Sequence, residues 1–251
     1  MKKIICILMA GLMLACAAAC GAVQDSSAAS EPEAQTADTQ KIIFESRFDE
    51  SGEYTDNCGN TVQYSFSLPR IVCDTDYAKC VNGEIYDLFE KMILPALVSM
   101  SDGTSLITVR SDWQNSEYNG ITSLCLFFKS DFDSEYTYIW NFDADGNEAD
   151  NAAVLKAAGM TPEEFEAKAK EILEKEVAFD RDGMSEEIIK AREEDAEKTL
   201  SKENLNSEIP IAVADDGGIV FCAKVYSVAG SGYYFRNYHI LPSGGYEEIR
   251  N

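Results

Sequence analysis

Two stretches, 121–128 (ITSLCLFF) and 134–143 (SEYTYIWNFD), decide the fold. The first is apolar on both faces, as a strand covered from both sides must be. The second alternates strictly, placing Tyr136, Tyr138, Trp140 and Phe142 on one side. A period of two filled by aromatic and β-branched residues is a strand signal.

Working outward, further strands are expected at 41–49 (KIIFESRFD), 62–72 (VQYSFSLPRIV) and 104–113. Pro69 cannot donate to a ladder, so it belongs at an edge or a strand exit. Three more strands, at 209–214, 219–228 and 233–241, close the chain, with glycine-rich turns at 215–218 and 229–232 between them. Between the early strands, Val81, Ile85, Leu88, Phe89, Met92 and Ile93 recur at spacings that define one helical face. Pro95 should kink or end that helix.

A second helix opens at Thr161-Pro162-Glu163-Glu164, with a capping hydroxyl, proline at the first helical position and glutamate at the third. Its buried face reads Phe165, Ala169, Ile172, Leu173 and Val177. Its outer face offers Glu164–Lys168, Glu166–Lys170 and Glu171–Lys175 pairs. Residues 185–200 form a third helix with a thin apolar stripe. The expected fold is α+β, an antiparallel sheet with helices packed on one face, in a single domain spanning 41–251.

The start of the chain has a different character. Lys2 and Lys3 precede an unbroken apolar or small run from Ile4 to Ala19, the form of a secretory signal. Ala17-Ala18-Ala19-Cys20-Gly21 resembles the bacterial lipobox, so a leader of residues 1–19 and lipidation of Cys20 are expected. Residues 20–40 are too polar to bury a core and read as a flexible tether. The expected location is the outer face of a bacterial membrane, held there by the lipid.

The chain carries 21 basic and 44 acidic residues, a net charge of −23. Loss of the leader removes Lys2 and Lys3, leaving 19 against 44 and a charge near −25. Nucleic acid is therefore excluded as a partner, since it demands clustered lysine and arginine. Cationic proteins suit such a surface better.

Beyond Cys20 stand Cys58, Cys73, Cys80, Cys125 and Cys222, an odd set that cannot pair completely within one chain. A bridge between Cys125 and Cys222 is one option. No zinc spacing, phosphate loop or dinucleotide glycine pattern occurs, and no cofactor is expected. The single histidine, His239, lies in a strand beside Tyr238, and no nucleophile elbow accompanies it. Asp143, Asp145, Asn147 and Asp150 resemble half a calcium loop, but Glu148 stands where glycine belongs and Val154 where glutamate belongs. Two aromatic groups, Tyr136-Tyr138-Trp140 and Tyr226-Tyr233-Tyr234-Tyr238, either line a recognition surface, because such rings combine area with a polar tip, or cover the helices as ordinary core, which is the commoner arrangement.

The order of the pieces resembles a family of extracytoplasmic domains of unknown function. Members form the outer part of a lysozyme-sensing anti-sigma factor and precede the catalytic domain of certain peptidoglycan deacetylases. The residues that carry the resemblance are YSFSLPRI (64–71), NGEIYDLF (82–89), ITSLCLFFKSDF (121–132), SEYTYIWNFDADG (134–146) and GIVFCAKVYSVAGSGYYFRNYHIL (218–241). It implies an envelope domain that binds something, without the activity of either relative; with the anchor and the acidic surface, the expected ligand is a cationic protein such as lysozyme, or a peptidoglycan component. The competing expectation is a carboxylate-dependent hydrolase of the wall polymer. If the lipobox is used, metabolic labelling with a fatty acid marks the chain and Cys20→Ala abolishes the label. Labelling that persists in the variant would refute the anchor.

Overall fold

The computed structural model describes residues 42–101, 109–130, 135–206, 209–227 and 232–249, so the leader, Cys20 and the tether lie outside the described residues. Thr39–Asn251 cluster as one compact unit. Its strands are β1 (Ile43–Thr55), β2 (Thr61–Val72), β3 (Val109–Tyr118), β4 (Ile121–Ser130), β5 (Glu135–Phe142), β6 (Ile211–Val213), β7 (Ile219–Ser227), β8 (Gly232–Ile240) and β9 (Tyr246–Ile249). The helices are α1 (Asp76–Leu88), α2 (Leu94–Ser101), α3 (Asn151–Ala157), α4 (Pro162–Glu176), α5 (Glu186–Thr199) and α6 (Lys202–Leu205).

The fold is α+β, and its strands make two sheets. The first runs β1-β2-β3-β4-β5 and the second β6-β7-β8-β9. All pairings are antiparallel except β2 with β3. Each sheet carries helices on one face. On β4, Leu124, Leu126 and Phe128 pack with Val81, Ile85 and Ile93 of the α1 region, while Cys125 and Phe127 turn the other way onto Ala212 and Val220 of the second sheet. Behind the second sheet, Phe221 and Tyr238 bury against Phe165, Ile172 and Leu173 of α4. Each such side chain contributes about 1.5–3 kcal/mol by leaving water.

Helix α4 follows its sequence closely. Thr161 and Glu164 form the capping box, with hydrogen bonds of 2.8 and 3.2 Å. Of the expected surface pairs, Glu171–Lys175 is made at 2.9 Å; Glu164 is turned into the cap, Lys168 reaches Glu171, and Lys170 leans toward Glu174. Pro95 does not end its helix. A π turn at Phe89–Ile93 precedes it, and the Leu94 amide reaches back to the Phe89 carbonyl, so the helix resumes as α2 with Pro95 in its first turn, where no N–H is needed.

Strand β3 runs on past Trp113 through Gln114–Tyr118, which is polar and has one face largely uncovered; residues 104–108 lie outside the described set. Strand β1 runs on past Asp49 into a long hairpin, closed where Asp56 Oδ1 accepts from the Cys58 and Asn60 amides at 2.8 Å each.

Pro69 lies inside the first sheet. The β2–β3 ladder covers only Ser65 and Phe66, after which Ser111 Oγ bonds both backbone groups of Ser67. Beyond Pro69 the missing neighbour is replaced by α1: Asn82 accepts from the Ile71 amide and donates to the Ile71 carbonyl, both at 2.9 Å. The second sheet repeats the device. Strand β6 is too short to flank all of β7, and Asn204 bonds Lys224 N–H and C=O at 3.1 and 2.6 Å. Thr199 Oγ1 accepts from the Tyr226 amide at 2.9 Å. Removing either asparagine leaves two backbone groups without partners. Asn82→Ala and Asn204→Ala should each lower unfolding free energy by about 1–3 kcal/mol in urea titrations; losses under 0.5 kcal/mol would deny the amides this role.

Candidate binding surface

The aromatic residues named from the sequence divide on β8 by the strand's period of two; on β5, Tyr136, Tyr138 and Trp140 share one parity and differ in how far they are covered. Tyr138 and Trp140 face α1. They stack at 6.1 Å with an interplanar angle of 14°, Tyr138 meets Phe128 edge-on, and Trp140 Nε1 donates to Glu84 Oε2 at 2.8 Å. Tyr238 is buried in the core beneath α4, against Phe221 and Tyr246, and burial pushes its hydroxyl well above the ordinary tyrosine range. Tyr234 lies half-buried under the Arg236 guanidinium, 4.4 Å from its ring. Trp140 and Tyr238 are thus core residues and not a recognition surface, because their faces of β5 and β8 are the ones the helices cover.

Tyr136 and Tyr233 remain, 42% and 40% exposed. They are brought together by a residue the sequence reading passed over. Phe235 lies 5.4 Å from Tyr136 and 5.6 Å from Tyr233, and Tyr226 adds a fourth ring 5.6 Å from Tyr233. This strip crosses from β5 of the first sheet to β8 and β7 of the second. It is anchored beside Thr137 Oγ1, which donates to Asn237 Oδ1 at 2.8 Å across the two sheets. The missed signal was alternation in YYFRNY, which puts Tyr233 and Phe235 on the face opposite Tyr234 and Tyr238.

The acidic loop after β5 is a turn. Asp143 Oδ1 accepts from the Asp145 and Asn147 amides, both at 2.9 Å, and Asp150 caps α3 through the Ala153 amide at 2.8 Å. Gly146 adopts φ 81°, and its carbonyl accepts from Thr75 Oγ1 at 2.6 Å; a side chain there would strike Cys73. The Asp143 and Asp150 carboxylates are spent on backbone amides. Among the described residues no group of three acidic, histidine or cysteine side chains could hold a metal.

His239 faces the space between the sheets and pairs with Asp216 Oδ1 at 3.1 Å, its ring packed tightly on Gly218. It lines a cleft of about 300 Å³, with Gln114 and Asp215 at the rim and Cys125 and Phe127 among its lining. A second, more open trough of about 460 Å³ lies along the β1–β2 hairpin, bordered by Ser51, Glu53, Ser65 and Arg110. Each cleft holds one carboxylate, Asp215 or Glu53.

None of the five cysteines is in a disulfide; Cys58 and Cys80 are exposed, whereas Cys125 and Cys222 are buried. Burial, with Cys222 as a lesser cause, pushes the Cys125 thiol up to about 12. From the ordinary value of 9 to about 12, the unfolded chain loses this proton while the folded chain keeps it. Stability therefore falls as pH rises through that window. In the folded state at pH 8, Cys58 and Cys80 should react with a thiol reagent within minutes and Cys125 only on unfolding. Equal rates at all three would contradict this placement.

No protein-family model matches the chain, and no curated protein does. Among solved structures, a member of the duf3298 family from Bacteroides fragilis aligns over 85% of this chain and 91% of its own, with 12% identity and a TM-score of 0.37. A likeness that distant fixes neither family nor function.

Proposed function

We propose that this protein is a non-catalytic binding or sensing module of the bacterial cell envelope, lipid-anchored at Cys20, that recognises a cationic protein such as lysozyme or a wall component. The observation that carries the reading is the strip Tyr136–Phe235–Tyr233–Tyr226, with two rings exposed at the junction of the sheets in a chain of net charge −23. Exposed rings beside one another suit the side chains of lysine and arginine as well as the apolar faces of sugars. A hydrolase would need two carboxylates roughly 5–9.5 Å apart across a cleft. Neither cleft described above lines up such a pair.

The test is calorimetric titration of the unit Thr39–Asn251 with a cationic lysozyme at low and at physiological salt. Micromolar or tighter binding that survives physiological salt, and weakens at least tenfold in Tyr136→Ala/Tyr233→Ala, supports the reading. Binding that vanishes with salt reports only attraction between opposite net charges. The absence of binding at both salts removes the cationic protein and leaves soluble wall fragments as the titrant.

A further inference from the structure

We propose that the open edge of β1, over residues 49–53, takes an extended lysine- or arginine-bearing segment of a partner protein as a sixth strand of the first sheet. This shares with the reading above only the partner's charge, and it uses a different surface.

The sheet ends at β1; among the described residues no strand lies on its outer side. Which backbone groups are open follows from the far side of β2. Ser67 gives both its N–H and C=O to Ser111, so it points away from β1. Its partner in register is Asp49. In an antiparallel ladder, two residues that face each other without exchanging bonds both direct their polar groups outward, and the pattern repeats every second residue. Asp49, Ser51 and Glu53 therefore offer a row of N–H and C=O groups to solvent.

Edges are commonly spoiled by bulges, prolines or charge. The bulge in β1 falls between Ser46 and Phe48 and so leaves 49–53 regular. Proline is absent there. Charge remains, and it is selective. Asp49 and Glu53 are exposed and stand on one face, so they repel a second copy of this edge and attract a basic strand. The same stretch borders the 460 Å³ trough, where Ser51, Glu53 and Ser65 give room for the added strand's side chains. Arg110, the one basic residue at that border, calls for a neutral or acidic residue opposite it. Main-chain bonding for affinity with alternate side chains for specificity is the general logic of strand addition.

The probe is a fluorescein-labelled ten-residue peptide of alternating lysine and threonine. It is titrated by anisotropy into the full chain held in detergent micelles at physiological salt. A second peptide of identical sequence carries backbone N-methyl groups on alternate residues, which keep its charge but remove the donors of one edge. Strand addition predicts at least tenfold weaker binding of the methylated peptide and slowed hydrogen exchange at the Asp49, Ser51 and Glu53 amides. Ser51→Pro, which deletes an outward N–H while sparing the ladder to β2, should also weaken binding tenfold. The titration is repeated in Tyr136→Ala/Tyr233→Ala, where the difference between the two peptides should persist, which separates this proposal from the aromatic strip. Methylated and unmethylated peptides binding within twofold, no binding of either, or unslowed amides would each overturn it. Should Ser51→Pro fail to fold, the peptide pair and the exchange measurement on the unaltered chain still decide.

Discussion

The architecture depends on side-chain amides that stand in for missing strands. A strand interior carries two backbone groups per residue that must find partners once buried. In the first sheet that duty passes at Pro69 from β3 to Asn82 of α1; in the second it passes from β6 to Asn204, with Thr199 beside it. Asparagine suits the task because one side chain presents a donor and an acceptor spaced as a peptide does. The consequence is that helix and sheet cannot slide independently. Helix α1 is keyed to one residue of β2, and α5 and α6 to two residues of β7, which fixes their register against the sheets.

The layer between the sheets follows the same economy. Its apolar part is small: Cys125, Phe127, Ala212, and the partly buried Ile139 and Val220. Around it Ser123 donates to Asn141 at 2.6 Å and accepts from the Val213 amide at 3.0 Å, while Asn141 donates to the Ile211 carbonyl at 2.9 Å. Strand β6 has only three residues, too few to hold position by pairing with β7 alone. Hydrogen bonds from β4 and β5 fix it in place. A buried polar network that is satisfied throughout specifies one arrangement where a slab of leucines would tolerate several. That rigidity is what brings Tyr136 of one sheet to Phe235 of the other.

Much of this was legible in the sequence, for physical reasons that also mark where legibility ended. The capping box and apolar face of α4 involve only neighbours in the chain: Phe165, Ala169, Ile172 and Leu173 are buried as read, and Val177 packs partly buried at the C-cap. The alternation of β5 correctly put Tyr138 and Trp140 on one face but could not say whether solvent or α1 covers it. The end of β3, from Gln114 on, and the outer half of β1 have little buried surface, so no hydrophobic period records them. Pro95 within a continuing helix depends on a π turn that no local pattern announces. Two sheets instead of one could not be read either, since strand patterns fix which faces are apolar and not which strands are neighbours. Nor could the aromatic strip, whose four rings come from three strands.

Charge sharpens what the exposed rings can do. With 21 basic residues against 44 acidic, cations are the scarcer resource in this chain, and several are used over aromatic faces: Arg47 on Tyr86, Lys175 on Tyr246, Lys224 on Tyr233 and Arg236 on Tyr234. Ring faces attract cations through their quadrupole, more strongly as water is excluded. Tyr136, at the opposite end of the strip from Lys224, has none of the chain's own cations over it among the described residues. An incoming lysine or arginine would therefore meet an unoccupied face there, in a strip whose Tyr233 already takes Lys224 and in the field of a strongly acidic protein. A neutral sugar would gain from the same rings but nothing from that field, so the salt dependence of binding, more than its strength, distinguishes the two kinds of partner.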